Sequence, residues 1–148
     1  MAQDSKHCAE FDSEKLRLKL TFQVPGDVNS ITPVVDGVMH LTRQIGCGEG
    51  KEFEIEMAVR EALANAIVHG CKNNPGKIVE VCVACDEKKG MLIVVRDPGE
   101  GFDPEHVISP LQGQNVFSDH GRGIYLITQL MDEVRFERGG TEIIMRKR

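Results

Sequence analysis

The chain contains no tryptophan and a single tyrosine, so it offers few rings on which unpaired bases would stack. Nor does it carry surplus positive charge. Its 18 Lys and Arg face 23 Asp and Glu, a net charge of -5 at pH 7. That balance speaks against direct nucleic-acid binding or an anionic-membrane surface, while leaving room for a local phosphate site. No apolar run approaches the roughly 20 residues that cross a bilayer. The opening MAQDSKHCAEFDSEK is polar and mixed in charge, without a secretory pattern, so residues 1–15 are expected to form a loose tail. Neither G-x-x-x-x-G-K-[ST] nor G-x-G-x-x-G occurs, which excludes the two commonest glycine-rich phosphate loops.

What is present suits one domain, residues 16–148, within a chain of 148 residues that is 41% hydrophobic and 28% charged. The five cysteines are Cys8, Cys47, Cys71, Cys82 and Cys85. An odd number without a secretory pattern predicts reduced thiols in the cytoplasm. Cys82 and Cys85 form a C-x-x-C, but within the apolar run IVEVCVAC. Residues three apart on a strand face opposite ways, so core cysteines are expected there rather than a metal site.

KLRLKLTFQV alternates, with Leu16, Leu18, Leu20, Phe22 and Val24 on one side, and reads as a half-buried strand. Ser30 is placed to cap a helix reaching about Ile45. GCGEGK reads as a flexible joint, and a second helix runs from about Glu52 to Cys71. NNPG is a turn. Ile78–Cys85 and Met91–Val95 are more evenly apolar, so they belong at the centre of a sheet. From Pro98 to His120 periodicity is lost, as in a functional lid. A helix from Gly121 to Met131 and a closing hairpin, VRFER and TEIIMRK, complete the chain. The order β-α-α-β-β-loop-α-β-β predicts an α+β fold: a two-layer sandwich with helices on one face of a mixed, mostly antiparallel sheet.

On the second helix, Ile55, Ala58, Val59, Ala62, Leu63, Ala66 and Ile67 form an apolar stripe at helical spacing. Glu61, Asn65 and His69 follow one edge of it. A half-buried Asn left unpaired costs about 1–3 kcal/mol, so Asn65 must serve either a structural network or a ligand. A carboxylate and an amide oxygen one turn apart suit a hard cation and a proton acceptor. Two glycine motifs follow. Asp97-Pro98-Gly99-Glu100-Gly101 comes directly after a central strand, with Asp97 placed to accept from a ligand amine. Gly121-Arg122-Gly123 opens a helix, whose free N–H groups favour phosphate. Each motif is weak alone, since D-P-G is also an ordinary turn.

Taken in order, the Asn-bearing helix, D-x-G-x-G, the lid, G-x-G and the final Gly140-Thr141 resemble the GHKL ATPase superfamily. Within it, the chain resembles the anti-sigma factor serine/threonine kinases. The resemblance covers about Leu16 to Lys147 and is most specific in HGRGIYLITQLMDEVRFERGGTEIIMRK. It implies a Bergerat-type sandwich, ATP and Mg²⁺ as cofactors, and the following roles. Glu61 is the catalytic base, and Asn65 holds Mg²⁺. Asp97 accepts from the adenine amine, with Gly99 and Gly101 allowing close approach. Gly121, Arg122 and Gly123 lie along the triphosphate, Thr141 sits by adenine, and His69 is a wall residue. The lid PEHVISPLQGQNVFSD has no Arg or Lys, which leaves any cationic contact to the γ-phosphate to Arg122. The implied partners are an anti-sigma-factor antagonist as substrate and a sigma factor, with the kinase a homodimer. A nucleotide-gated binding module without transferase activity and a histidine-kinase catalytic domain are the alternative readings.

Overall fold

The computed structural model describes residues 16–101 and 119–148. The expected tail, residues 1–15, and residues 102–118 of the expected lid lie outside the described residues.

The element order is β1 (Leu16–Pro25), α1 (Ile31–Ile45), α2 (Glu52–Asn65), β2 (Ile78–Asp86), β3 (Gly90–Arg96), α3 (Asp119–Leu130), β4 (Glu133–Glu137) and β5 (Glu142–Lys147). The strands form one sheet in the order β1-β2-β3-β5-β4. Every described pairing is antiparallel, so the expected mixed sheet is uniformly antiparallel among the described residues. The evenly apolar β2 and β3 occupy interior positions, as their sequences require.

The sheet has two distinct faces. On one, Val79, Val81, Val83, Met91, Ile93, Val95, Ile143 and Met145 pack with the helices. All seven residues of the α2 stripe join that core. On the other, Cys82, Ala84, Leu92, Val94 and Ile144 form a smaller buried cluster that contains strand residues only. The helices therefore lie on one face, giving the expected two-layer α+β sandwich. A fully buried Leu63 or Ile67 contributes roughly 1.5–3 kcal/mol relative to exposure, and both are 0% exposed.

Several local expectations are corrected. A register shift between Leu16 and Leu18 breaks the alternation of β1. Leu16 consequently packs with the far-face cluster, while Leu18 and Phe22 pack with the main core. Ser30 has helical dihedrals (φ -79°, ψ -18°) and makes no side-chain cap to α1. The cap sits earlier: Asp27 Oδ1 accepts from the Asn29 N–H at 2.9 Å and holds the preceding 3₁₀ turn. At the far end Gly46 adopts φ 84° and donates to the Thr42 and Arg43 carbonyls, an αL stop that favours glycine.

The second helix does not run unchanged to Cys71. After Asn65 it widens into a π-helical turn, Ala66–Gly70, in which Cys71 N–H donates to Ala66 O at 2.8 Å. Such widened turns recur at functional sites.

The cysteines depart from expectation too. Cys47 in the α1–α2 joint is disulfide-bonded to Cys85 at the end of β2, across 38 positions. Both are nearly buried, so the joint is tied to the sheet rather than free, and the thiols are not all reduced. Cys82 is disulfide-bonded as well, leaving Cys71 as the free, buried thiol among the described residues. The C-x-x-C is split across the two sheet faces by strand alternation, and no group of three or more His, Cys, Asp or Glu side chains suited to a metal occurs among the described residues. No described helix is long and apolar enough to cross a membrane.

Candidate functional site

A cleft of about 470 Å³, open to solvent, lies between the C-terminal part of α2, the end of β3, the start of β5 and α3. Its floor is apolar: Ala62, Ala66, Val95, Ile124, Phe136 and Ile143. Its polar side chains among the described residues are Asn65, His69, Asp97 and Thr141. An apolar cavity with a few convergent polar groups is the usual form of a small-molecule site.

The cleft is assembled by the sheet. Asp97 follows the last residue of β3, Thr141 precedes the first of β5, and the Asp97 N–H donates to Thr141 O at 2.9 Å. The two side chains are thereby set beside each other at the mouth of the cleft. Asp97 Oδ1 accepts from the Gly99 N–H at 2.8 Å, and among the described residues Oδ2 has no hydrogen-bond partner, so it can meet an incoming donor. Burial pushes the Asp97 carboxyl above the ordinary carboxylate range, and the Gly99 N–H partly opposes this. The Thr141 hydroxyl donates to Arg138 O at 2.9 Å, so toward a ligand or water it acts as an acceptor.

Gly70, at the end of the π turn, carries no sequence signal beyond that of a helix-end glycine. It lines the cleft, and a Cβ built on it would overlap the carboxyl group of Asp97. A side chain at position 70 and the observed Asp97 rotamer exclude each other. Gly99 packs behind in the same way: a Cβ there would lie 2.7 Å from Gly70 O. Gly101, at φ 82°, approaches the Gly139 carbonyl so closely that a Cβ would collide with it. These contacts make the turn after β3 a close-packed backbone layer under one end of the cleft.

The other end is where α3 meets α2. A Cβ on Gly123 would lie 2.9 Å from Glu61 Oε2, 3.5 Å from Asn65 Nδ2 and 3.6 Å from Asn65 Oδ1. The start of α3 thus rests directly on the two polar residues of α2. Gly121 and Gly123 are buried, whereas Arg122 is exposed. The positive end of a 12-residue helix makes this end suited to phosphate.

Of the residues picked out from sequence, Asn65, His69, Asp97, Gly101 and Thr141 line one cleft. Gly99 supports Asp97 from behind, and Gly123 joins Glu61 to Asn65. Glu61 and Asn65 are half-buried, as the apolar stripe required. His69 is exposed, because the helix widens between it and Asn65 and breaks the i, i+4 line. Ile124 and Phe136, which supply apolar wall, carry no sequence signal beyond hydrophobicity.

Known proteins are similar to this chain along most of its length. Residues 24–147 match the family described as the histidine kinase-like ATPase domain. An anti-sigma F factor of Clostridium acetobutylicum is 34% identical over 100 residues, covering 64% of this chain and 68% of that protein. An anti-sigma F factor of Geobacillus stearothermophilus is 35% identical over 100 residues, covering 64% and 67%. A serine-protein kinase RsbW of Staphylococcus aureus is 34% identical over 102 residues, covering 64% of each. With its sandwich, its cleft and a match that spans most of the sequence, the chain belongs to the histidine kinase-like ATPase domain family.

Proposed function

We propose that this protein is an ATP-dependent serine/threonine-protein kinase and anti-sigma factor. It phosphorylates an anti-sigma-factor antagonist and holds a sigma factor when that antagonist is not available. The observation that carries the reading is the seating of Gly123 on Glu61 and Asn65. It brings the positive start of a helix against a carboxylate and an amide oxygen, at the end of a cleft whose opposite end presents the half-buried Asp97 carboxylate. The names borne by the relatives, anti-sigma F factor and serine-protein kinase, supply the partner class.

In this reading the adenine ring lies on Val95, Ile143 and Phe136, and its exocyclic amine donates to Asp97 Oδ2. Thr141 accepts from a water bridging to the ring. The phosphates run along Gly121–Gly123 at the start of α3, where the positive helix end favours them and Arg122 adds charge. The carboxamide of Asn65 fits Mg²⁺, a hard ion that takes one or two protein oxygens together with substrate phosphates. Gly123 keeps the space beside that oxygen clear. When bound, the ion supplies charge neutralisation on the phosphates. The partner's serine oxygen attacks the γ-phosphorus, the bond to the bridging oxygen breaks, ADP leaves, and the serine proton passes to Glu61. Phosphoryl transfer asks little more of a protein than this positioning.

Incubation with γ-labelled ATP, Mg²⁺ and a candidate antagonist tests the proposal. Acid-stable phosphoserine on the partner, absent with Asn65→Ala, is the expected result. Binding of nucleotide without transfer to any antagonist, or an acid-labile phosphohistidine, would contradict it.

A further inference from the structure

We propose that the buried Arg96–Glu142 ion pair, on the face of the sheet opposite the cleft, is a positioning device that aims Asp97 and Thr141 at the ligand amine. The inference rests on the nucleotide reading above. Arg96 is the residue before Asp97, and Glu142 is the residue after Thr141. The two face each other across β3 and β5. Arg96 Nε donates to Glu142 Oε2 at 2.9 Å, with the glutamate side chain 3% exposed and the arginine 19% exposed. Arg96 and Glu142 border a hollow on the far face beside Cys82 and Val94, whereas their neighbours Asp97 and Thr141 line the cleft.

A second contact extends the arrangement. Arg138 Nε lies 4.0 Å from the same Glu142 oxygen. The carbonyl of Arg138 accepts both the Thr141 hydroxyl, at 2.9 Å, and the Thr141 N–H, at 3.3 Å. One carboxylate therefore engages two arginines. One is joined directly to Asp97, and the other holds Thr141 through its main chain. Glu80 on β2 also reaches Arg96, at 3.4 Å, and fixes the guanidinium from the other side.

A buried ion pair adds little net stability, because desolvating the charges offsets their attraction. Geometry is what it does supply: a planar fork fixes direction as well as distance. The Asp97 N–H to Thr141 O bond, at 2.9 Å, is the next rung beyond the pair. Loosening the pair lets that rung shift, and the Asp97 carboxylate with it.

The test compares ATP with purine riboside triphosphate, which lacks the exocyclic amine, by calorimetric titration. The wild type is expected to prefer ATP. In Glu142→Gln the Kd for ATP is expected to rise about tenfold and that for the amine-free nucleotide less than about twofold. Turnover at saturating ATP is expected to stay within about twofold of wild type. Arg96→Lys, which keeps the charge but not the fork, is expected to move the same ratio in the same direction, so a poorly folding Glu142 variant does not leave the inference untested. Equal weakening toward both nucleotides, or a lowered melting temperature with the ATP preference intact, overturns the inference while leaving the nucleotide reading standing. A wild type that binds neither nucleotide overturns both.

Discussion

Gly70 and Asp97 share one volume: the carboxyl group of Asp97 occupies the place where any side chain at position 70 would begin. Gly70→Ala therefore forces the carboxylate off its seat against the Gly99 N–H. The methyl group also overpacks a tight layer, at a cost of about 1–3 kcal/mol. Nucleotide affinity is expected to fall at least about tenfold, with a modest drop in melting temperature. Calorimetry and thermal unfolding on the same preparation check both.

Gly123→Ala acts at the other end of the cleft. Its methyl would stand 2.9 Å from Glu61 Oε2 and displace that carboxylate from the reacting hydroxyl. Phosphotransfer is expected to fall roughly 10- to 100-fold, the usual result of a small misplacement. Affinity for Mg²⁺-ADP is expected to fall by a smaller factor, because the same methyl crowds the space beside the Asn65 carboxamide while Asp97 and Thr141 are untouched. Single-turnover transfer alongside ADP titration separates the two effects.

Glu61→Gln preserves shape and removes the proton acceptor. A general base contributes about 10²–10⁴-fold, so turnover is expected to fall within that range while the Kd for ATP stays near wild type. A variant that loses binding as much as turnover would assign Glu61 to ligand support instead.

The raised Asp97 carboxyl gives a pH signature. Its ionised form must accept from the adenine amine, so affinity is lost as pH falls through a value above the ordinary aspartate pKa of about 3.9. Stability runs the other way. Because burial disfavours the ionised form, Asp97 contributes stability that is full below about pH 3.9 and is lost as pH rises through the raised value. Nucleotide titrations across the acid range, with Asp97→Asn as comparator, check the first statement. The variant is expected to bind weakly and to lose this acid limb. Thermal unfolding of the pair over the same range checks the second.

The Cys47–Cys85 bond lies at the opposite end of β3 from the cleft, where Cys85 pairs with Met91 rather than with the residues near Val95. Closing a loop of 38 positions is worth up to about 4 kcal/mol through the unfolded chain. Cys47→Ser is expected to lower the melting temperature by several degrees, leaving the Kd for ATP within about twofold. Loss of nucleotide binding in this variant would show that the two ends of the sheet are coupled.

The element order, the α2 stripe and the central strands were legible because hydrophobic period reports burial directly. Asn65 and Glu61 stood out because polar side chains on the edge of such a stripe need a partner. Other features depend on the third dimension. The π turn after Asn65 replaces one hydrogen-bond register with another and leaves the sequence pattern almost unchanged. The bulge that sends Leu16 to the far face follows from pairing with β2. Gly70 looks like an ordinary helix-end glycine until Asp97 is placed beside it. The Cys47 pairing joins residues whose spacing carries no disulfide signature. Ser30 fits a capping pattern, but Asp27 had already taken that task one turn earlier.

Binding and transfer both depend on an adenine nucleotide that lies in the cleft with its amine on Asp97. Calorimetric titration of the protein with Mg²⁺ and ATP, beside Asp97→Ala of matched folding, tests it most directly. Saturable one-to-one binding in the wild type, weakened at least about tenfold in the variant, is the result this account requires. No binding heat from the wild type, or equal affinity in the two proteins, would contradict it.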